Sequence, residues 1–151
     1  MLKHLLAITA FAVPTLALAH DFTVGEIVIA HPVAKPTIAS AMTGAGYFMI
    51  TNNGAEDDTL LSVEADFPRV MMHDTAMEDG VATMFHLEGG VVIPSGGSVT
   101  FAPGGKHVMF MGLKGDPFEI GEEIPATLTF EKAGTVEINF AVEDIAAMDH
   151  S

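Results

Sequence analysis

Short runs of β-branched, aromatic and aliphatic residues recur along the chain, cut by clusters of Gly, Pro, Asn and Asp, and no stretch keeps a 3.6-residue apolar period for long. The pattern predicts strands over 22–30, 46–51, 59–65, 69–75, 81–87, 98–102, 106–113, 126–131 and 135–142. Turn chemistry separates them: Asn52-Asn53-Gly54, Glu78-Asp79-Gly80, Glu88-Gly89-Gly90, Pro94-Ser95-Gly96-Gly97, Pro103-Gly104-Gly105 and Ala133-Gly134. Seven to nine strands at this spacing predict an all-β fold, a Greek-key β-sandwich in one domain. There is no internal repeat and no linker that would divide it.

Residues 1–19 stand apart from this pattern. Lys3 is followed by an apolar run over 5–18, interrupted by Thr9, Pro14 and Thr15, and Ala17-Leu18-Ala19 forms an A-x-A cleavage signal. This reads as a secretory signal peptide, with the mature chain starting at His20. The run is shorter than the roughly 18–20 apolar residues a membrane span needs, and no span is expected in the mature protein. The domain is expected over 20–142, and the remaining 143–151, polar apart from 145–148, is read as a mobile tail.

Charge and composition remove whole classes of function. Twenty acidic against six basic residues give a formal charge of −14, which leaves no basic surface for nucleic acid. No cysteine is present, so disulfide scaffolds, thiolate-ligated zinc, iron–sulfur clusters, thiol catalysis and blue-copper electron transfer are all excluded. Stability must come from burial. The glycine turns lack a phosphate-loop spacing, Ser95 sits in Pro-Ser-Gly-Gly rather than in a nucleophile elbow, and no His-Glu-x-x-His occurs. The sequence carries no catalytic signature.

Ten methionines remain to be explained. They concentrate with histidine in two segments: Met71-Met72-His73-Asp74-Thr75-Ala76-Met77 leading to Met84 and His86, and His107-Val108-Met109-Phe110-Met111. Strand alternation places His107 with Met109, Met71 with His73, and Met84 with His86, each pair opposite an apolar face. Core packing is the competing account of a strand methionine; core or loop packing is preferred for Met42, Met49 and Met72, and His86 is read as a surface histidine. Two imidazoles and two thioethers without cysteine are a soft set that selects Cu(I). Methionine also needs no deprotonation to bind. From these residues alone, Cu(I) binding and ordinary packing both stay open.

His73, ten intervening residues, Met84, a longer interval and then His107-x-Met109 resembles the H-x10-M-x21-H-x-M signature of the periplasmic copper chaperones called PCu(A)C. The surroundings agree, from Gly46-Tyr47-Phe48-Met49 through Met72-His73-Asp74-Thr75 to Pro103-Gly104-Gly105-Lys106-His107. Two departures stand out: the second interval holds 22 residues, the extra one assigned to the Glu88-Gly89-Gly90 turn, and His31 replaces a usual aromatic residue. The resemblance implies a cupredoxin-like sandwich that binds one Cu(I) through His73, Met84, His107 and Met109. It also implies a periplasmic carrier, not an enzyme, that delivers copper to the CuA domain of cytochrome c oxidase or to a Cys-containing assembly factor. Copper sequestration or resistance with the same site is the alternative. A second site, for Cu(II), is expected at the chain ends if cleavage frees the amine of His20, with Met148 and His150 as further donors.

Overall fold

The computed structural model describes residues 20–145; the leader, Met148 and His150 lie outside the described residues. Eleven strands follow in chain order: β1 (Phe22–Val24), β2 (Ile27–Ala34), β3 (Thr43–Asn52), β4 (Asp58–Ala65), β5 (Arg69–Glu78), β6 (Val81–His86), β7 (Val91–Ile93), β8 (Ser98–Phe101), β9 (His107–Met111), β10 (Glu123–Phe130) and β11 (Gly134–Val142). Among the described residues no helix is long and apolar enough to cross a membrane.

The strands form one hydrogen-bonded path, β6-β5-β9-β3-β2-β11-β10-β4-β7, with β1 added to β2 and β8 to β3. Pairing is antiparallel except where β2 meets β11, at Val33–Ala141 and Ala34–Val142. Strand β3 lets the path fold over. One of its edges pairs with β2, while the other is shared between β9, against 43–46, and β8, against 48–51. The inner faces of the two halves then meet. Phe48 of β3 packs on Phe101 at 4.7 Å between ring centres and on Phe140 of β11 at 5.7 Å, and Phe140 meets Phe110 of β9 at 5.5 Å. Each such ring contributes roughly 1.5–3 kcal/mol by burial.

These rings dictate the small residues opposite them. A Cβ on Gly46 would stand 2.9 Å from Phe140 and 3.0 Å from Phe110, and one on Gly44 would collide with the ring of Phe118. Glycine at both positions brings β3 close beneath the aromatic cluster, and β3 in turn carries β9.

Three departures from the alternation reading shape the fold, beside shifts of one to four residues at other strand ends. Residues 22–30 are a hairpin rather than one strand: Val24 pairs with Ile27 around Gly25, which adopts φ +55°. The signal is a change of parity, because the half-buried Phe22 and Val24 give way to the buried Ile27 and Ile29. Strand β7 falls where no strand is expected; its three residues pair with 58–60, and buried Asn52 holds it by donating to the Ile93 carbonyl at 3.0 Å. The chain also stays packed past Val142. The Glu143 amide donates to the Ala34 carbonyl, and Ile145 is buried beside Val33 and Tyr47, so 143–145 belong to the domain rather than to a mobile tail.

Candidate metal centre

Strands β6, β5 and β9 make up one end of the path, and their alternation sorts donors from core. Met72, Val108 and Phe110 are buried on the inner face. The outer face carries Met71, His73 and Thr75 of β5, Met84 and His86 of β6, and His107 and Met109 of β9. Register aligns them across the strands. His73 is opposite His86 on one side and His107 on the other, Met71 is opposite Met109, and Thr75 is opposite Met84. Ring centres lie 5.6 Å apart for His73 and His107, stacked at 20°, and 5.7 Å apart for His73 and His86.

All four residues of the sequence motif therefore reach one face. His73 and His107 are direct partners, Met109 lies two residues along from His107, and Met84 is diagonal to His73, about 7 Å away by strand geometry. Their exposure is graded. His107 is 7% exposed, His73 and Met109 are half-buried, and Met84 is 58% exposed. An open groove of about 450 Å³ runs past Met84, His107 and Met109, with Tyr47, Lys35 and Ile38 on its far side. An ion at the imidazoles is reachable from solvent on the Met84 side.

Local hydrogen bonds prepare the imidazoles. His107 Nδ1–H donates to the Gly105 carbonyl at 3.1 Å, which leaves the Nε2 lone pair for an ion. The Thr75 hydroxyl donates to the same carbonyl at 3.4 Å. Nδ1 of His73 is buried without a hydrogen-bond partner, a costly arrangement for a polar atom that an ion would relieve. Burial, followed by the neighbouring His107 and His86 and by Arg69, pushes the His73 imidazolium below its ordinary range, so the ring is held in its neutral, ligating form. One residue on, Lys106 Nζ meets Asp74 Oδ2 at 3.0 Å and ties β9 to β5 beside the histidine pair. Burial acts to raise the Asp74 carboxyl, but its bonds to Lys106 and the Thr75 amide hold it below the usual range.

Among the described residues no three His, Asp or Glu side chains stand at distances that would hold a metal ion by themselves. A hard oxygen cage for Ca or Mg is thus not offered on this face, and the thioethers are needed to complete a donor set.

Other assigned residues fall elsewhere. Met72 is core and Met42 is exposed in the loop before β3, as expected, whereas Met49 is 42% exposed on the outer side of β3. His20 is exposed at the start of the described chain, and Met148 and His150, named with it for a Cu(II) site, lie outside the described residues. His31 is bound locally, its amide near Asp21 Oδ1 at 3.4 Å and its Nε2 3.5 Å from Glu143. His86 is exposed, as expected of a surface histidine; alternation alone does not show that it faces His73. The signal is Asp79-Gly80. Both residues adopt positive φ, +49° and +78°, as a two-residue hairpin turn requires, and pairing back from Glu78–Val81 brings His73 to His86 and Thr75 to Met84.

Compared with known proteins, the chain matches the LpqE-like family over residues 27–142. It is 30% identical over 122 residues to Lxx21020 of Leifsonia xyli subsp. xyli, a lipoprotein by name, covering 79% of this chain and 73% of that one. Its fold is that of PCuAC domains. The apo PCuAC domain of PmoF1 superposes with a TM-score of 0.69 at 30% identity, covering 82% of this chain and 98% of that domain. The copper-bound PCuAC domain of PmoF2 gives 0.66 at 32% identity, covering 82% and 97%.

Proposed function

The chain belongs to the LpqE-like family, and we propose that it is an exported copper carrier that holds one Cu(I) through His73, Met84, His107 and Met109. The observation that carries this reading is the meeting of those four side chains on one outer face, with a proton-fixed imidazole at one end and an exposed thioether at the other. A relative at 32% identity whose structure contains copper supports the choice of metal. So does the chemistry, since thioethers favour Cu(I) and add little for zinc, magnesium or calcium.

The grading of exposure gives a route for transfer. An incoming thiolate approaches along the groove, replaces the thioether of exposed Met84 first, and then draws the ion from the buried histidine. Thiolates bind Cu(I) more strongly than thioethers, so transfer to a cysteine-bearing acceptor runs downhill. The CuA domain of cytochrome c oxidase, or a thiol-containing assembly factor, is the acceptor this direction calls for. The excess of acidic residues favours a salt-dependent encounter with a basic face on it. No turnover chemistry belongs to the protein itself.

The leader motif and the lipoprotein names among its relatives both point to the cell envelope, with the periplasm as the site of action. The chain departs from those names in one respect, because its sequence holds no cysteine to carry a thioether-linked lipid. Sequestration with the same site is the second reading; among the described residues, one donor cluster with an open side favours transfer over storage. Competition against a Cu(I) chelator tests the ligand set. His107→Ala and Met109→Ala are expected to weaken binding at least tenfold, roughly the lower bound for losing even an outer partner of a metal ligand, and Met42→Ala and Met49→Ala to leave it unchanged. Equal affinity in the Met109→Ala chain removes that residue from the site.

A further inference from the structure

The groove that opens onto the copper face differs in charge from the chain as a whole. Against twenty acidic and six basic residues in the sequence, its lining contains one cation, Lys35, and no carboxylate. By contrast, the cavity over β4, β10 and β11 holds Glu64, Asp66 and Glu137, and the one beside Phe67 holds Asp116, Glu122 and Glu123. Asp74, next in the chain to Thr75 of the groove, is engaged by Lys106 at 3.0 Å. The backbone fixes Lys35 in place. Its amide donates to the Ala45 carbonyl at 3.0 Å, and Ala45 is in turn the register partner of Met109. Lys35 and Met109 thus stand two strand spacings apart, roughly 10 Å, with only the methyl group of Ala45 between them in the groove. The long, flexible stem of the lysine carries its ammonium over that gap toward the copper ligands.

We infer that this groove is the entry port for an anionic sulfur ligand, a cysteine thiolate of the copper acceptor, which Lys35 draws in and keeps deprotonated. The inference rests on the reading of His73, Met84, His107 and Met109 as the Cu(I) set, and it adds the form in which the incoming thiol arrives. The thiolate, not the thiol, binds a metal, and a neighbouring lysine favours that form. The acidic exterior repels the same anion, so the groove is where it can approach. The thiol proton leaves to solvent, and a sulfur–copper bond forms as the bond from copper to the Met84 thioether breaks. Copper stays Cu(I) throughout and no electron is transferred. The two charges of the surface then divide the encounter: the acidic exterior meets the acceptor's basic face, and the groove meets its thiolate.

The test is the stopped-flow rate at which the Cu(I)-loaded chain loses its ion at low ionic strength to two probes. One is 2-mercaptoethanol, which attacks as a thiolate; the other is tris(hydroxypropyl)phosphine, a soft Cu(I) ligand without charge. A unit charge about 6 Å from the thiolate sulfur changes its local population about threefold in water. Lys35→Gln is therefore expected to slow loss to the thiolate about threefold and Lys35→Glu about tenfold, with Lys35→Arg keeping the rate. Cu(I) affinity in chelator competition should stay within about threefold across the series. The phosphine rate should not change, and the thiolate effect should vanish in about 1 M salt, where the screening length falls to about 3 Å. Unchanged thiolate rates in both Lys35→Gln and Lys35→Glu overturn the proposal. So does equal slowing with the phosphine, or slowing that salt does not remove, since either makes the lysine part of the wall rather than a charge. Failure of the underlying Cu(I) reading looks different, because the unsubstituted chain would then not compete for Cu(I) at all.

Discussion

His73 and His107 are register partners across β5 and β9, their rings 5.6 Å apart, yet their Nδ1 atoms have opposite fates: one donates to the Gly105 carbonyl and the other is buried with no partner. The first is a ligand oriented in advance. The second is a polar atom whose desolvation is offset only when something binds.

That difference makes copper binding and apo stability depend on pH in a defined direction. The His73 pKa is lowered in the folded chain from its ordinary 6.5, so the folded state takes up this proton less readily than the unfolded state. The stability linked to it is fully present above about pH 6.5 and is lost as pH falls from there through the folded value. Denaturant unfolding of the apo chain at pH 7.5 and 5.5 should therefore show a loss at the lower pH that His73→Gln reduces. Cu(I) affinity should fall in the same direction once the imidazole protonates, while the thioethers do not respond.

A second acid-sensitive point lies far from the site. Buried Asp58 accepts from the amides of Thr59, Lys132 and Ala133. Burial pushes its carboxyl up, but these bonds together with Lys132 outweigh it and hold the group below its ordinary 3.8. Its contribution is present above about pH 4 and is lost as pH falls through the folded value. Asp58→Asn should cost about 1–3 kcal/mol at pH 7 and flatten the acid limb of the stability curve, with Cu(I) affinity at pH 7 unchanged.

Gly46 links the core to the centre. It pairs with Val108, next to His107, and a Cβ there meets Phe140 and Phe110 at 2.9 and 3.0 Å. Gly46→Val should destabilise by about 1–3 kcal/mol through overpacking, read as a lower denaturation midpoint, and should weaken Cu(I) binding because β9 is displaced.

How much of the site is legible in the sequence depends on distance along the chain. The sorting of Met109 from Val108, or of His73 from Met72, needs only a period of two, which survives an error of two residues in a strand end. The pairing of His73 with His86 is also available, through the Asp79-Gly80 turn. The pairing of His73 with His107 is not, because nothing local sets the register of β5 against β9 across the segment between them. Strand β7 is hidden for a related reason: three residues carry too little alternation, and their place is fixed by Asn52 and by pairing with β4.

The most direct test of the central claim is methyl NMR of the chain, with 13C-labelled methionine, during addition of Cu(I) to one equivalent. The account predicts that the ε-methyl signals of Met84 and Met109 shift and saturate together at that point, with the ring protons of His73 and His107, while Met42, Met49 and Met77 stay in place. Shifts at Met42, Met49 and Met77 instead, or no saturation at one equivalent, would contradict it.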